Sequence, residues 1–561
     1  MGRIKALLLS SGTARLACIP LCFLLFAGAA ALLTRMLEKT PELTAIEPPV
    51  SETGETVTIR GSGFGGQRGS QWVEISGVRL SSSAYESWSE NEIRLVIPEN
   101  YEDGLIRVCT KNRKSNMLVF SRKENIPEAP KNTGTGSLPL IHNLASSSGT
   151  IGGVLTIYGV NFGITRGRSG VLFTKSGEDH PFPASGGRHS APPLILQEDG
   201  VSGYEFWSDQ EIRVRIPDGA ASGPVYVRTE RGMSTPADVR ITDMPGTKRF
   251  ENQRVYVLSL DVEITGIHAE SGGRIFLRVP CPITTSAQQN VSIRESVPPP
   301  YMENHLGSIL HQFENLKEDQ PVTVHHSVVL TNTDILTDID VRRVRPYQES
   351  SPEYRTYTAA DPLVPSDAEE IRAALEEIDG AGDSNPYRRA RAVYDWLLEN
   401  ILHRQNSGDP DRRPLDALRI KNGGVYDTAI LFCALARAAG IPAVPVAGIL
   451  IDIRQTAVPH WWAEFYIENF GWVPVDPGMA AGIPYAPVHN ETEAADWYFG
   501  NIDGNRVAFS RGWTYQNPMT QDSKTVGYPR SFSFQKIWEE TNAAVTGYTS
   551  FWNTPRVTGV Y

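Results

Sequence analysis

The sequence predicts a multidomain, mostly β chain that ends in an α+β core, and three observations carry that prediction. A stretch near the N-terminus returns about a hundred residues later with its motifs intact. From about Arg254 to Arg345 apolar and polar positions alternate with few helix starts, and beyond Ser366 helix starts appear, followed by a strand pair. The 561 residues suffice for three to five domains, and 40% of them are hydrophobic, enough for ordinary globular cores. Net charge is −11 and Lys and Arg are scattered, so no basic face is expected and nucleic acid is excluded as a partner. Outside the N-terminal apolar run the cysteines are Cys109, Cys281 and Cys433, one per candidate domain. That spread speaks against a disulfide framework and against a Cys/His metal site, and no cofactor is expected.

Leu16 to Leu33 is an uncharged, mostly apolar run of 18 residues between Arg15 and Arg35, long enough to cross a bilayer as a helix. Arg3, Lys5 and Arg15 precede it, which places the N-terminus in the cytoplasm and exports the rest of the chain. Residues 1–40 are therefore expected to be a cytoplasmic N-terminus and membrane anchor, with the later domains periplasmic or extracellular. The small-residue tract from Ala27 to Ala31 supports the rival reading of a cleaved signal peptide.

TVTIRGSGFG at Thr56 returns as VLTIYGVNFG at Val154, and YESWSENEIRLVIP at Tyr85 returns as YEFWSDQEIRVRIP at Tyr204. The first offset is 98 residues (56 to 154) and the second 119 (85 to 204), so the second copy carries about 21 extra residues, expected as a surface loop within Ser176 to Gly203. Short strands punctuated by glycines make each copy a small β-sandwich, at 41–125 and 138–245, and Ile126 to Ser137 reads as a linker. The glycine-rich turns lack a following helix and the Lys-Ser/Thr of a phosphate loop, so they are read as turns that need positive φ. The G-x-G-F-G and W-S-x-x-x-I-x-x-x-I-P patterns resemble the immunoglobulin-like IPT/TIG family. That resemblance implies spacing or binding modules of cell-surface and envelope proteins.

Residues 250–345 form the expected third β-rich domain. Its adjacent His325 and His326 point to opposite faces of a strand and are poor candidates for a metal pair. Ser366 to Glu369 reads as a capping box, Asn385-Pro386 as a second helix start, and Val393, Trp396, Leu397 and Ile401 as that helix's buried stripe. All of 346–561 is assigned to the core. Ala429, Phe432, Cys433 and Ala436 then mark an amphipathic helix that Gly440 and Pro442 stop. Two alternating runs follow as a hairpin, with His460 entering and Asp476 leaving, each eight residues from Glu468. A turn centred there sets the two opposite each other. A second hairpin is expected between Trp497–Phe499 and Arg506–Phe509 around Asn501 to Gly504, completing the core sheet.

Gly423, Asp427 and Ala429, then His460 and Trp462, then Gly471, Trp472, Asp476 and Pro477 reproduce the motifs G-x-C-x-D-x-A, H-x-W and G-W-x-x-x-D-P. The stretch resembles the transglutaminase-like family of papain-like cysteine enzymes. The resemblance implies a papain-like α+β core against which the preceding β-domain packs. It also implies a thiol nucleophile at residue 425, with His460 as its base and Asp476 orienting the imidazole. Val425 occupies the thiol position.

Two functions are weighed. In the first, the chain is a membrane-anchored, exported binding or scaffold protein with a degenerate transglutaminase-like domain, whose pocket of Tyr426, Trp461 and Trp462 offers flat faces to a protein or glycan ligand. In the second, it is an active acyltransferase or peptidase with a non-standard nucleophile. Thr428 is the nearest hydroxyl for that role, whereas Cys433 reads as a small buried hydrophobe.

Overall fold

The structure, a computed structural model, describes residues 40–561 except 49, 52–53, 76–77, 99–103, 111–112, 123–136, 178–193, 198–202, 405–412, 483–493 and 521–522. The expected membrane span, nearly all of the linker and most of the long insertion lie outside the described residues. Among the described residues no helix is long and apolar enough to cross a membrane. The chain divides into two compact units, Met1–Asn132 and Thr133–Tyr561.

The first unit holds one β-sandwich. One sheet runs in the order Glu42–Glu47, Thr56–Ser62, Glu92–Val96, Tyr85–Trp88, and the other places Gly104–Cys109 between Leu118–Arg122 and Trp72–Ile75. The second unit opens with the same arrangement: Leu140–Leu144, Val154–Val160, Glu211–Arg215 and Tyr204–Trp207 in one sheet, with Gly223–Thr229 between Ala237–Ile241 and Gly170–Thr174 in the other.

The repeated sequence is repeated wiring. Trp88 Nε1 donates to the Phe64 carbonyl at 2.9 Å, as Trp207 Nε1 does to Gly163 at 3.1 Å. The Tyr85 and Tyr204 hydroxyls each accept a backbone N–H from the opposite sheet, from Val73 and Val171, both at 2.8 Å. Two glycines are needed for close approach and not for positive φ: a Cβ on Gly61 or Gly159 would stand 1.9 or 2.1 Å from the carbonyl oxygen of Glu42 or Leu140. The insertion is not all loop, because Leu194–Leu196 adds an edge strand beside Leu172 to Thr174.

The third β-rich domain consists of two sheets. Gly246–Ala269 and Val322–Ile339 pair along most of their length in one, while Ser308–Glu314, Arg274–Pro280 and Trp538–Thr541 are neighbours in the other. Val545–Trp552 and Arg556–Val560 also pair with Gly246–Ala269, so the end of the chain completes this domain and not the core to which it was assigned.

His325 and His326 do face opposite ways. His325 Nδ1 meets Asp261 near the surface, whereas His326 is buried with its Nε2 2.8 Å from Nε2 of His311. In that pair one imidazole donates and the other accepts, so at least the acceptor is neutral. Burial pushes His311 down to about 4, and burial together with the charges of His311 and His325 pushes His326 down to about 3. In the unfolded chain both titrate near 6.5. Below that pH the unfolded state takes up protons that the folded state refuses. The contribution is therefore complete above pH ~6.5 and is lost as pH falls toward the folded values, with a slope of up to about 2.7 kcal/mol per pH unit for two protons. Urea midpoints are expected to fall between pH 7 and pH 5, and His311→Leu/His326→Leu is expected to flatten that decline. Equal pH dependence in the double variant would contradict the assignment.

The core is a four-stranded antiparallel sheet in the order Gly471–Val475, Ala457–Ile467, Ala443–Ile451, Arg506–Arg511. One face packs on the helix Val425–Ala438. The other, through Val446, Trp462 and Ala508, meets Phe250, Ala287 and Ile335 of the β-domain, as the resemblance implied. The central helix is enclosed and not amphipathic: every residue from Tyr426 to Arg437 is buried, because Glu369–Glu376, Pro386–Asn400 and Pro414–Ile420 cover the side away from the sheet. Its one buried cation, Arg437, donates to the carbonyls of Ala443 and Ala359 and to Asp361.

Two local expectations are corrected. Ser366 does not cap the helix Glu369–Glu376, whose N-cap is Ala368, because the chain turns first through an Ala368 N–H bond to the Pro365 carbonyl. The Trp497–Phe509 hairpin does not form. Trp497 ends a short helix, Ile502 bridges to Ile335 of the β-domain, and Arg506–Arg511 pairs with Ala443–Ile451.

Candidate functional site

The ladder between Ala457–Ile467 and Gly471–Val475 pairs Ala463 with Val475 and Ile467 with Gly471, so the turn centres on Asn469 and not on Glu468. The shift sets Asp476 two residues short of the position opposite His460, on the same face, and the strand ends at Val475. Asp476 is instead the N-cap of the short helix Pro477–Ala480, where its Oδ1 accepts the Met479 N–H at 3.0 Å. From there Oδ2 reaches Nε2 of His460 at 2.7 Å. The expected pair forms by a diagonal approach and not across the ladder.

Both members are buried, His460 2% and Asp476 0% exposed. A buried carboxylate pair depends on its surroundings. Arg506, which the sequence reading missed, lies within 3.0 Å of Asp476 Oδ2 through Nε and reaches Asp503 at 2.6 Å through Nη1. Burial acts to raise the Asp476 carboxyl, but the charges of His460 and Arg506 and the bonds from His460 and the Met479 N–H outweigh it and hold the group down to about 2. Asp476 is thus an ionised acceptor. His460 Nε2 must carry the proton it donates, which leaves Nδ1 as the basic nitrogen.

Residue 425 opens the central helix. The Gly424 N–H donates to Asp427 Oδ2 at 2.9 Å, and Arg530 holds the other Asp427 oxygen at 2.9 Å while lying over the Tyr426 ring. Gly423 leaves no room for a side chain, since a Cβ would lie 2.9 Å from that of Asp427. The same glycine pairs with His403, a second residue the sequence reading passed over. Burial lowers the His403 pKa first and the His460 charge lowers it further, and both of its ring nitrogens are buried with no hydrogen-bond partner among the described residues. No sequence motif marks His403. Arg506 had a signal: a cation at the head of the apolar run Val507 to Phe509, three residues after Asp503.

The expected aromatic pocket does not open. Tyr426, Trp461 and Trp462 are only 8%, 7% and 5% exposed; Trp461 meets Tyr426 edge-on at 5.5 Å, and Trp462 faces the β-domain. The tryptophans that border a cavity of about 510 Å³ are Trp472, in the next strand, and Trp513.

Residues 373–477 match the transglutaminase-like superfamily, and residues 41–122 match the IPT/TIG domain. The core is a transglutaminase-like domain. Its matched region ends at Pro477, so it spans the central helix, His460 and Asp476 but not Arg506. An uncharacterized protein of Haemophilus influenzae is 29% identical over 212 residues, covering 32% of this chain and 57% of the relative's length. Among solved structures, a candidate cysteine protease from Cytophaga hutchinsonii is similar at 16% identity and a TM-score of 0.36, covering 56% of this chain and 91% of that one. A surface glycan-binding protein from Prevotella bryantii is similar at 9% identity and a TM-score of 0.15, covering 54% of this chain and 99% of that one. Among the described residues no group of three or more His, Cys, Asp or Glu side chains could hold a metal in the transglutaminase-like domain or elsewhere.

Proposed function

We propose that this chain is a membrane-anchored, exported protein whose transglutaminase-like domain has lost its nucleophile and serves in binding or scaffolding at the cell envelope. The carrying observation is Val425, a hydrocarbon at the opening of the central helix, in a domain that retains the His460–Asp476 pair. An isopropyl group neither ionises nor attacks a carbonyl. The substitutes fail for stated reasons. The Thr428 hydroxyl is buried and lies 3.2 Å from the carbonyls of both Gly424 and Val425. Cys433 is 0% exposed, and burial pushes its thiol well above the usual range.

Full-length protein in detergent, assayed with amine donors, glutamine peptides and peptide substrates, is expected to show no turnover and no iodoacetamide labelling of Cys433. Turnover that His460→Ala abolishes would overturn the reading. Anchoring is supported by the run from Leu16 to Leu33 and the cations before it. Protease added to intact cells should remove a C-terminal epitope, whereas a mature N-terminus between Ala30 and Glu38 would mean a cleaved signal.

A further inference from the structure

A cavity of about 510 Å³ lies where the second sandwich, the β-domain and the transglutaminase-like domain meet, and none of Val425, His403, His460 or Asp476 lines it. That volume is in the range of small-molecule sites. Its walls carry eight ionisable groups of the strongly charged kinds, and all but one are matched inside the protein. Asp218 is held by Lys248, Glu353 by Arg215, Asp361 by Arg437 and Glu464 by Arg511. Lys536 is the remainder. It is 8% exposed, and among the described residues no carboxylate pairs with it; the one ionisable neighbour that acts on it is the half-buried Cys281 thiol. Its ammonium lies against the bare backbone of Gly307, where a Cβ would be 2.6 Å from Nζ. The residues before it are fixed too: Gln535 Nε2 donates to the Thr514 carbonyl, and the Phe534 backbone N–H to Ser510 Oγ.

An uncompensated buried cation is costly unless a ligand neutralises it. Tyr357, Tyr466, Trp472 and Trp513 supply aromatic wall, and Thr284 and Thr514 are among the hydroxyl-bearing residues that line the same space. Aromatic surface beside hydroxyls and paired planar ions suits a ring rich in hydroxyls. We infer that this cavity binds a short saccharide bearing a single carboxylate, with Lys536 as the group that takes the carboxylate. Carboxylate binding at Lys536 does not depend on the loss of the nucleophile at residue 425, and either can fail without the other.

The test is calorimetric titration of the full-length protein in detergent with three probes: a disaccharide containing one uronic acid, its carboxyl-reduced neutral counterpart, and a tripeptide with a free C-terminus. The uronic disaccharide is expected to bind about tenfold or more tighter than the neutral one, the range of one charge-assisted hydrogen bond. Lys536→Met should abolish that difference. Burial lowers the Lys536 amine to about 8, so wild-type affinity for the acid should decline as pH rises past about 8 and the ammonium loses its proton. Lys536→Arg should keep the preference and lose that pH dependence, a result open to measurement even if the Met variant does not fold. Equal affinity for the acidic and neutral sugars, binding of the tripeptide alone, binding of none of the three, or a decline above pH 8 that persists in Lys536→Arg would each overturn the assignment.

Discussion

Arg506→Met is expected to cost about 3–5 kcal/mol of stability, the range for stranding buried charge by removing its partner. The guanidinium is 1% exposed and lies between Asp476 and Asp503, both 0% exposed. With it gone, two ionised carboxylates are left in a space that excludes water. Arg506→Lys should fail as well, because a single ammonium cannot reproduce a fork that serves both acids. The acid limb should move too. Asp476, held down to about 2, contributes stability that is complete above its ordinary value near 3.8 and lost as pH falls through about 2. Without Arg506 its pKa rises, so the loss should begin at higher pH. Urea denaturation of Arg506→Met and of Arg506→Met/Asp503→Asn checks this, with the double variant expected to recover part of the loss. A single-variant change below about 1 kcal/mol would contradict it.

Lys248→Met is expected to destabilise the second unit by about 3 kcal/mol. Lys248 belongs to the β-domain and is 1% exposed. It pairs with Asp218 at the end of the second sandwich, donates to the Trp472 carbonyl at 2.7 Å and lies over the Phe470 ring at 4.9 Å. One ammonium thus ties three pieces together beside the core hairpin. Gly471 belongs to the same joint: its φ is +94°, and a Cβ there would stand 2.1 Å from Asp218 Oδ1. Gly471→Ala should therefore weaken the joint without removing a charge. If Lys248→Met shifts the urea midpoint no more than an exposed substitution such as Lys317→Met, the joint does not hold the unit.

How much of the fold could be read from the sequence depends on the kind of signal each feature leaves. The repeat was legible because part-buried Tyr and Trp side chains at matching positions make corresponding hydrogen bonds in both sandwiches. His460 and Asp476 were legible because their motifs lie within one helix and one hairpin. Their approach was misread by one residue at the turn, since Asn469 takes the positive φ, 60°, that centres it. Arg506 meets Asp476 from 30 residues further along the chain, and His403 pairs with Gly423 from a separate element, and no local periodicity records such placements. The same holds for the last two strands, which leave the core to pair with a strand nearly 300 residues earlier. The tryptophans at 461 and 462 were expected to face a ligand because aromatic pairs often do. Their burial against Tyr426 and the β-domain depends on a layer that only the fold supplies.

The central claim is that the transglutaminase-like domain keeps the frame for a thiolate and lacks only the thiol. Val425→Cys tests it most directly, with iodoacetamide alkylation followed against pH. Residue 425 opens a 14-residue helix whose free N–H groups and dipole favour an anion, and His460 Nδ1 is the nitrogen left available by Asp476. The introduced cysteine is expected to titrate below the unperturbed value of about 8.5 and to react faster than Cys433, and His460→Ala in the same background should slow it. A cysteine at 425 that reacts no faster than an unstructured thiol, and is indifferent to His460, would contradict the account.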